Sequence, residues 1–284
     1  MWQKIIQFNR PLYKVPTLSI QNSKFNVIKL KKKKVLNQKI SANIKENIAV
    51  HLHLYYEDLI HEILDRLKNL KYPFDIYVST QSSIDLKKLE IKLKKKLPTV
   101  KKIVIKILPN RGMDLGPFII SFGKELLNYD IVGHFHTKKS LHLNCGKKWY
   151  LHILDSLLGS QKDGSIYINA IINIIREKNA LIYPDYFLKL INSKDGWEDD
   201  KEYLKTMIKR YTKINLNDYP IVEYTQGSMF WSRSENIKPF LTLPITFRSF
   251  LNKPKKSNAL EHVLERLILI YASQSNTKLI RIID

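Results

Sequence analysis

Cysteine is almost absent. The 284-residue chain has one, Cys145, so no disulfide can close within it, and a reducing compartment is the default. Acid is scarce beside base: 26 Asp and Glu face 48 Lys and Arg, leaving a formal net charge of +22. No stretch long enough to span a bilayer is free of charges, and the N-terminal "MWQKIIQFNRPLYKVP" lacks the apolar core of a signal peptide. Zinc-finger spacing, helix-turn-helix and RNA-binding strand signatures are missing, as are internal repeats and low-complexity segments. Together these absences predict a soluble, intracellular protein. The 44% hydrophobic content, in a chain of this length, is enough to bury a core. The positive excess favours polyanionic partners such as nucleic acid, anionic lipid or phosphorylated small molecules. A general preference for Lys on every solvated face accounts for much of it equally well.

Residues 1–46 read as a basic N-terminal extension, with "KLKKKKVLNQK" (29–39) showing no clear helical or strand period. Residues 47–284 read as one α/β domain. Its first half alternates strand and helix: strands at 47–56, 74–80, 100–110 and 130–137, helices at 57–70, 83–97 and 116–129, with Ser83 as a cap. That alternation predicts a Rossmann-type, mostly parallel sheet flanked by helices. The second half is more mixed. Helices are expected at 149–159, 164–178, 201–211 and 259–272, strands at 180–184 and 221–233, and an irregular basic stretch at 244–258.

In such sheets ligands sit beyond the carboxyl ends of the strands. Those ends are Tyr55 and Tyr56, Ser79 and Thr80, Pro109 to Asp114, and His136 to Ser140. His51 and His53 lie two apart on one strand, His134 and His136 on another, so each pair shares a face. The doubly wound order 3-2-1-4 makes these two strands neighbours and brings the four imidazoles close. A hydrogen-bonded histidine cluster is favoured over a zinc or iron site, because no acid or cysteine completes either pair at useful spacing. Thr137, Lys138, Lys139 and Ser140 follow His136, with no glycine-rich loop before them. Lysines and hydroxyls there can hold a diphosphate or simply face solvent.

"PNRGMDLGPF" (109–118) has glycines for a tight strand-to-helix turn, with Asn110, Arg111 and Asp114 within it. Asp114 suits either a helix cap or a sugar-hydroxyl ligand. "TQGSMFWSR" (225–233) sets Gly227, Ser228, Met229 and Trp231 around a turn, as a carbohydrate platform or as core. Glu261 and Glu265, four apart on one helix face, are candidate bases or ordinary surface acids.

In this order, "VHLHLYYEDLIHEILDRL", "FDIYVST", "PNRGMDLGPF", "YDIVGHFHTKKS", "LLGS" and "GSMFW" resemble the rhamnan synthesis protein F family, from about residue 47 to about residue 270. The resemblance implies a GT-A-like glycosyltransferase of bacterial cell-surface polysaccharides. Its donor would be a nucleotide-sugar carrying rhamnose or another deoxy or furanose sugar. Its acceptor would be a growing lipid-linked glycan at the inner face of the plasma membrane. The enzyme would then be cytoplasmic and peripheral, held by its basic surface to anionic lipid. Other polysaccharide-assembly enzymes are implied as partners, and a specific nucleic acid is not. Where related enzymes carry a metal-binding Asp-x-Asp, this chain has His136-Thr137-Lys138. Transfer is therefore expected to need no metal, with manganese or magnesium an optional addition.

The resemblance gives the residues roles in an inverting displacement. Glu261 is the first candidate base and Asp114 the second. Arg111, Lys138 and Lys139 steady the leaving diphosphate. Asn110, Ser79, Thr80, His136 and Thr137 line the donor site, and Gly227, Ser228, Met229 and Trp231 face the acceptor. A non-catalytic partner in polysaccharide assembly and a basic nucleic-acid-binding protein stand as alternatives.

Overall fold

A computed structural model describes residues 24–81, 84–140, 143–187, 196–197, 201–251 and 259–284. In chain order the elements are β1 (Val27–Lys31), α1 (Lys32–Leu36), β2 (Ile48–Leu54), α2 (Ile60–Leu67), β3 (Phe74–Thr80), α3 (Leu86–Lys96) and β4 (Val100–Ile107). A π turn (Pro117–Ser121) leads into α4 (Phe122–Leu126), followed by β5 (Ile131–His136), α5 (Gly146–Leu158), α6 (Gly164–Lys178), β6 (Ala180–Pro184) and α7 (Lys201–Tyr211). The chain closes with β7 (Phe230–Arg233), α8 (Lys238–Leu241), α9 (Leu260–Ser273) and β8 (Lys278–Ile283).

The strands form one sheet in the order β1-β8-β6-β7-β5-β2-β3-β4. All neighbours are parallel except β7, which runs antiparallel to both β5 and β6. The segment β5-β2-β3-β4 has the neighbour order expected from the sequence. Period-2 alternation then sorts side chains onto two faces. Ile48, Val50, Leu52 and Leu54 of β2 join a core with α2, α3, α5 and α6. Ala49 of β2 and Val132 of β5 face a second core built from the π turn, α4, α7, α8 and α9. Each fully buried Leu or Ile contributes about 1.5–3 kcal/mol, so two such cores make this a three-layer α/β fold.

Several sequence expectations are corrected. Residues 24–46 are not an extension: β1 pairs with β8 at the sheet edge, and Val35 of α1 is buried in the first core. β1 escapes notice because its burial alternates irregularly at a Lys-rich edge. β8 escapes because it follows α9 after a short turn. The expected helix at 116–129 is shorter and opens with π winding. The expected strand at 221–233 is regular only from Phe230, and the residues before it form a turn. Asp85 caps α3, accepting from the Lys88 N–H, whereas Ser83 lies outside the described residues. Much of the 244–258 stretch also lies outside them, and of its described part Phe247–Ser249 is a single 3-10 turn.

Candidate active site

Strand register decides which histidines meet. In the β2–β5 pair His51 stands opposite His134 and His53 opposite His136. The His51 and His134 rings stack with centroids 5.0 Å apart. Phe118, delivered by the π turn, stacks on His134 at 4.3 Å. Charge is costly against such walls. Burial pushes His51 well below the ordinary imidazole range, holds His53 down at about 4, and lowers His136 as well.

Hydrogen bonds join these rings into a chain. His53 Nδ1 lies 2.9 Å from Ser79 Oγ, and Ser79 Oγ lies 3.1 Å from His51 Nε2. His51 Nδ1 meets His134 Nδ1 at 2.9 Å, and His134 Nε2 reaches Asp114 Oδ2 at 3.0 Å. The same carboxylate oxygen accepts from Ser228 Oγ at 2.6 Å, and His136 Nε2 lies 3.9 Å away. Burial opposes a charge on Asp114, but His136, His134 and Ser228 together outweigh it and hold the carboxyl well below the usual range. His136 Nε2–H donates to the Gly227 carbonyl at 2.9 Å. Among the described residues no three His, Cys, Asp or Glu side chains are placed to hold one ion.

An open cleft of about 380 Å³ lies at the carboxyl ends of the parallel strands, lined by His53, Tyr55, Tyr56, Asn110, Met113, Asp114, His136, Thr137, Lys138, Lys139 and Ser140. Thr137 Oγ1 accepts from the Tyr55 and Tyr56 N–H groups at 3.1 and 2.9 Å, which fixes the two tyrosines at the rim. Lys138 Nζ lies 4.3 Å over the Trp149 ring; burial lowers its pKa, against the nearby Glu265 and Asp114 carboxylates. Lys139 Nζ pairs with Asp58 Oδ2 at 2.8 Å and lies 4.9 Å over the Tyr56 ring.

The antiparallel direction of β7 explains how the second half of the chain reaches this cleft. Phe230 pairs with His134, so the residues just before Phe230 sit beside the end of β5. There the chain turns through Gly227 (φ 90°) and Ser228 (φ 57°). The Gly227 N–H donates to Glu265 Oε1 of α9 at 2.6 Å. Met113 and Ser140, both on the cleft wall, also have left-handed φ values of 47°. Such backbone costs on the order of 1–3 kcal/mol per residue and tends to collect at functional sites.

The structure thus gathers Asn110, Asp114, His136, Thr137, Lys138 and Lys139 at one cleft, with Gly227 and Ser228 behind them. Other expected site residues lie elsewhere. Ser79 and Thr80 are buried beneath the cleft, the first in the histidine chain and the second bonded through its hydroxyl to the Leu54 carbonyl. Arg111 is half-buried in the turn and does not line the cleft. Met229 and Trp231 are core residues, the indole N–H of Trp231 donating to the Leu157 carbonyl at 3.1 Å. Glu261 is buried in the first turn of α9 and is not a cleft residue; α9 reaches the site one turn later, through Glu265. Sequence reasoning gave no role to Tyr55, Tyr56, Met113 or Ser140. Their position at the strand ends was the available signal.

The rhamnan synthesis protein F family model matches residues 6–278, starting well before the segment that carried the resemblance in sequence. The uncharacterized protein WxcX of Xanthomonas campestris pv. campestris, in strains B100 and ATCC 33913, is 28% identical over 235 residues, or 80% of this chain. The chain spans only 31% of the length of these curated relatives. Among solved structures, S. aureus TarS 1-349 is similar over 82% of this chain and 57% of that one, at 12% identity and a TM-score of 0.42.

Proposed function

The chain belongs to the rhamnan synthesis protein F family, and from that premise we propose that it is a GT-A-like glycosyltransferase. It moves a sugar from a nucleotide-sugar to a growing cell-surface polysaccharide. The cleft carries this reading, because its groups divide as such a donor requires. Tyr55 and Tyr56 offer ring faces for a nucleobase, Lys138 and Lys139 offer charge for a diphosphate, and Asn110 and Asp114 offer polar contacts for sugar hydroxyls.

The reaction is an inverting displacement. The acceptor hydroxyl attacks the anomeric carbon, the bond to the diphosphate breaks, and the lysines stabilise the charge that develops on the leaving group. Side-chain ammonium groups supply that charge, so transfer needs no metal. The sugar is rhamnose or another deoxy or furanose sugar, and the acceptor is a lipid-linked glycan. Among the described residues no helix is long and apolar enough to cross a membrane. The basic surface draws the protein to anionic headgroups, where that acceptor resides.

The test is thermal-shift binding of a nucleotide and nucleotide-sugar panel, each with manganese and with a chelator. A shift for one activated sugar that survives chelation is expected. A shift that requires manganese overturns the lysine-held diphosphate. No shift with any donor, in folded protein, overturns the transferase reading and leaves a non-catalytic role in polysaccharide assembly.

A further inference from the structure

With every ring neutral, the histidine chain has one consistent direction. Asp114 is ionised, so His134 must donate to it through Nε2–H, and its Nδ1 is left as an acceptor. His51 must then donate through Nδ1–H, leaving its Nε2 to accept the Ser79 hydroxyl proton. Ser79 Oγ, its one hydrogen spent, accepts from His53 Nδ1–H. The neutral His53 ring therefore carries its lone pair on Nε2, and His53 lines the cleft. His136 differs: its Nε2–H is fixed on the Gly227 carbonyl. The Asp114 oxygen Oδ2 does not meet the acceptor hydroxyl directly, since it already accepts from His134 and Ser228.

We propose that Asp114, acting through His134, His51 and Ser79, locks His53 in the Nδ1–H tautomer, so that Nε2 is the general base for the attacking hydroxyl. The tautomer assignment stands on the hydrogen-bond geometry, with Asp114 ionised and the rings neutral; the role as base rests on the transferase reading above. The proton balance closes. The acceptor O–H bond breaks and an N–H bond forms at His53 Nε2. His53 Nδ1–H passes to Ser79, the Ser79 hydrogen to His51, the His51 Nδ1–H to His134, and the His134 Nε2–H to Asp114. The negative charge leaves with the nucleotide diphosphate, and no buried ring is left cationic. This matters because a buried imidazolium is what these walls disfavour. His53 is the catalytic residue of this set; Ser79, His51, His134 and Asp114 are positioning residues.

The experiment is 15N NMR of the full chain labelled at histidine, at pH 7, with His53 assigned by difference from His53→Gln. The expected state of His53 is protonated at Nδ1 and bare at Nε2, the minor form of free histidine in water. Ser79→Ala is expected to shift His53 toward the Nε2–H form. It should also lower kcat by at least about tenfold while leaving KM for the donor nearly unchanged. A His53 protonated at Nε2 in the unmutated protein overturns the proposal, as does a tautomer or kcat insensitive to Ser79→Ala. If the tautomer is as stated but no donor supports transfer, the function reading fails and the tautomer assignment stands.

Discussion

From β2 to β5 the chain alternates strands and helices and every neighbouring pair is parallel, whereas in the region from β6 to β8 the strand β7 runs against its neighbours. The first region follows the rule that puts loops and helix starts at one end of a parallel sheet, and it supplies most of the cleft's polar groups. The second breaks that rule with one reversed strand. The reversal is what lets Gly227 and Ser228 enter the site from the opposite chain direction, with Glu265 of α9 accepting from the turn. One region provides the functional groups and the other holds them in place.

Asp114 is where the two regions join, since its carboxylate takes His134 from one and Ser228 from the other. Replacing it should give the largest effect. Asp114→Asn is expected to lower the sugar-transfer rate by about 100-fold or more, because an amide can donate to His134 and reverse the chain. Asp114→Ala should also lose about 3 kcal/mol of unfolding free energy, as buried partners are left unpaired. Steady-state rates and urea titrations check the two. If Asp114→Asn retains its rate, the join is structural only.

Gly227→Ala should come next. The added methyl would lie 2.8 Å from Ile153 Cδ1, at a backbone φ of +90°. A loss of about 1–3 kcal/mol is expected, read by urea unfolding. Because the Gly227 carbonyl holds His136, its rate should fall along with its stability. A stable variant with a normal rate would show that the turn does not position the cleft.

Acid should loosen the same join. His51, His53 and His136 titrate lower in the folded state than in the unfolded chain, with His53 falling from 6.5 to about 4. The unfolded state therefore binds protons first as pH drops. Stability from these groups is intact above pH 6.5 and is lost on the way to about pH 4. Asp114, also lowered, adds the same sign at still lower pH. Melting temperature should drop by roughly 5 °C or more between pH 7 and pH 5. The fall should shrink in a His51→Gln, His53→Gln double variant. A flat profile would mean that the rings are not dry.

Where sequence reasoning succeeded, a periodic signal stood behind it. Alternating apolar residues fix the faces of β2 and β5, and i, i+2 spacing puts the histidines on one face, so their meeting was legible. The glycines at 112 and 116 marked the tight turn that carries Asp114. What failed had no such signal. Nothing in "VIKLK" announces a strand whose partner lies more than 250 positions away, between Val27 and Leu279. In sequence Trp231 suits a sugar platform, although a lone Phe-Trp pair is more often core. Gly133 decides for the core, since a methyl there would come within 2.6 Å of the indole, and only the pairing of β5 with β7 reveals it. Glu261 and Glu265 are indistinguishable in sequence; the pitch of α9 puts the second, not the first, at the Gly227 turn.

The two lysines offer the smallest test, and it separates anchored charge from surface charge. Lys138 is half-buried, lies over Trp149 and has Glu265 and Asp114 nearby, so its ammonium is held in place and poorly screened. Lys139 is held by Asp58, whose side chain is 62% exposed. A charge at the surface works through water and loses strength to salt. Lys138→Gln should raise KM for the donor about tenfold with little change in stability. Lys139→Gln should raise it only about two- to threefold, and 0.5 M NaCl should erase most of that difference while leaving the Lys138 effect in place. Equal effects, equally screened, would mean that the diphosphate sits outside the cleft, in reach of both lysines through solvent.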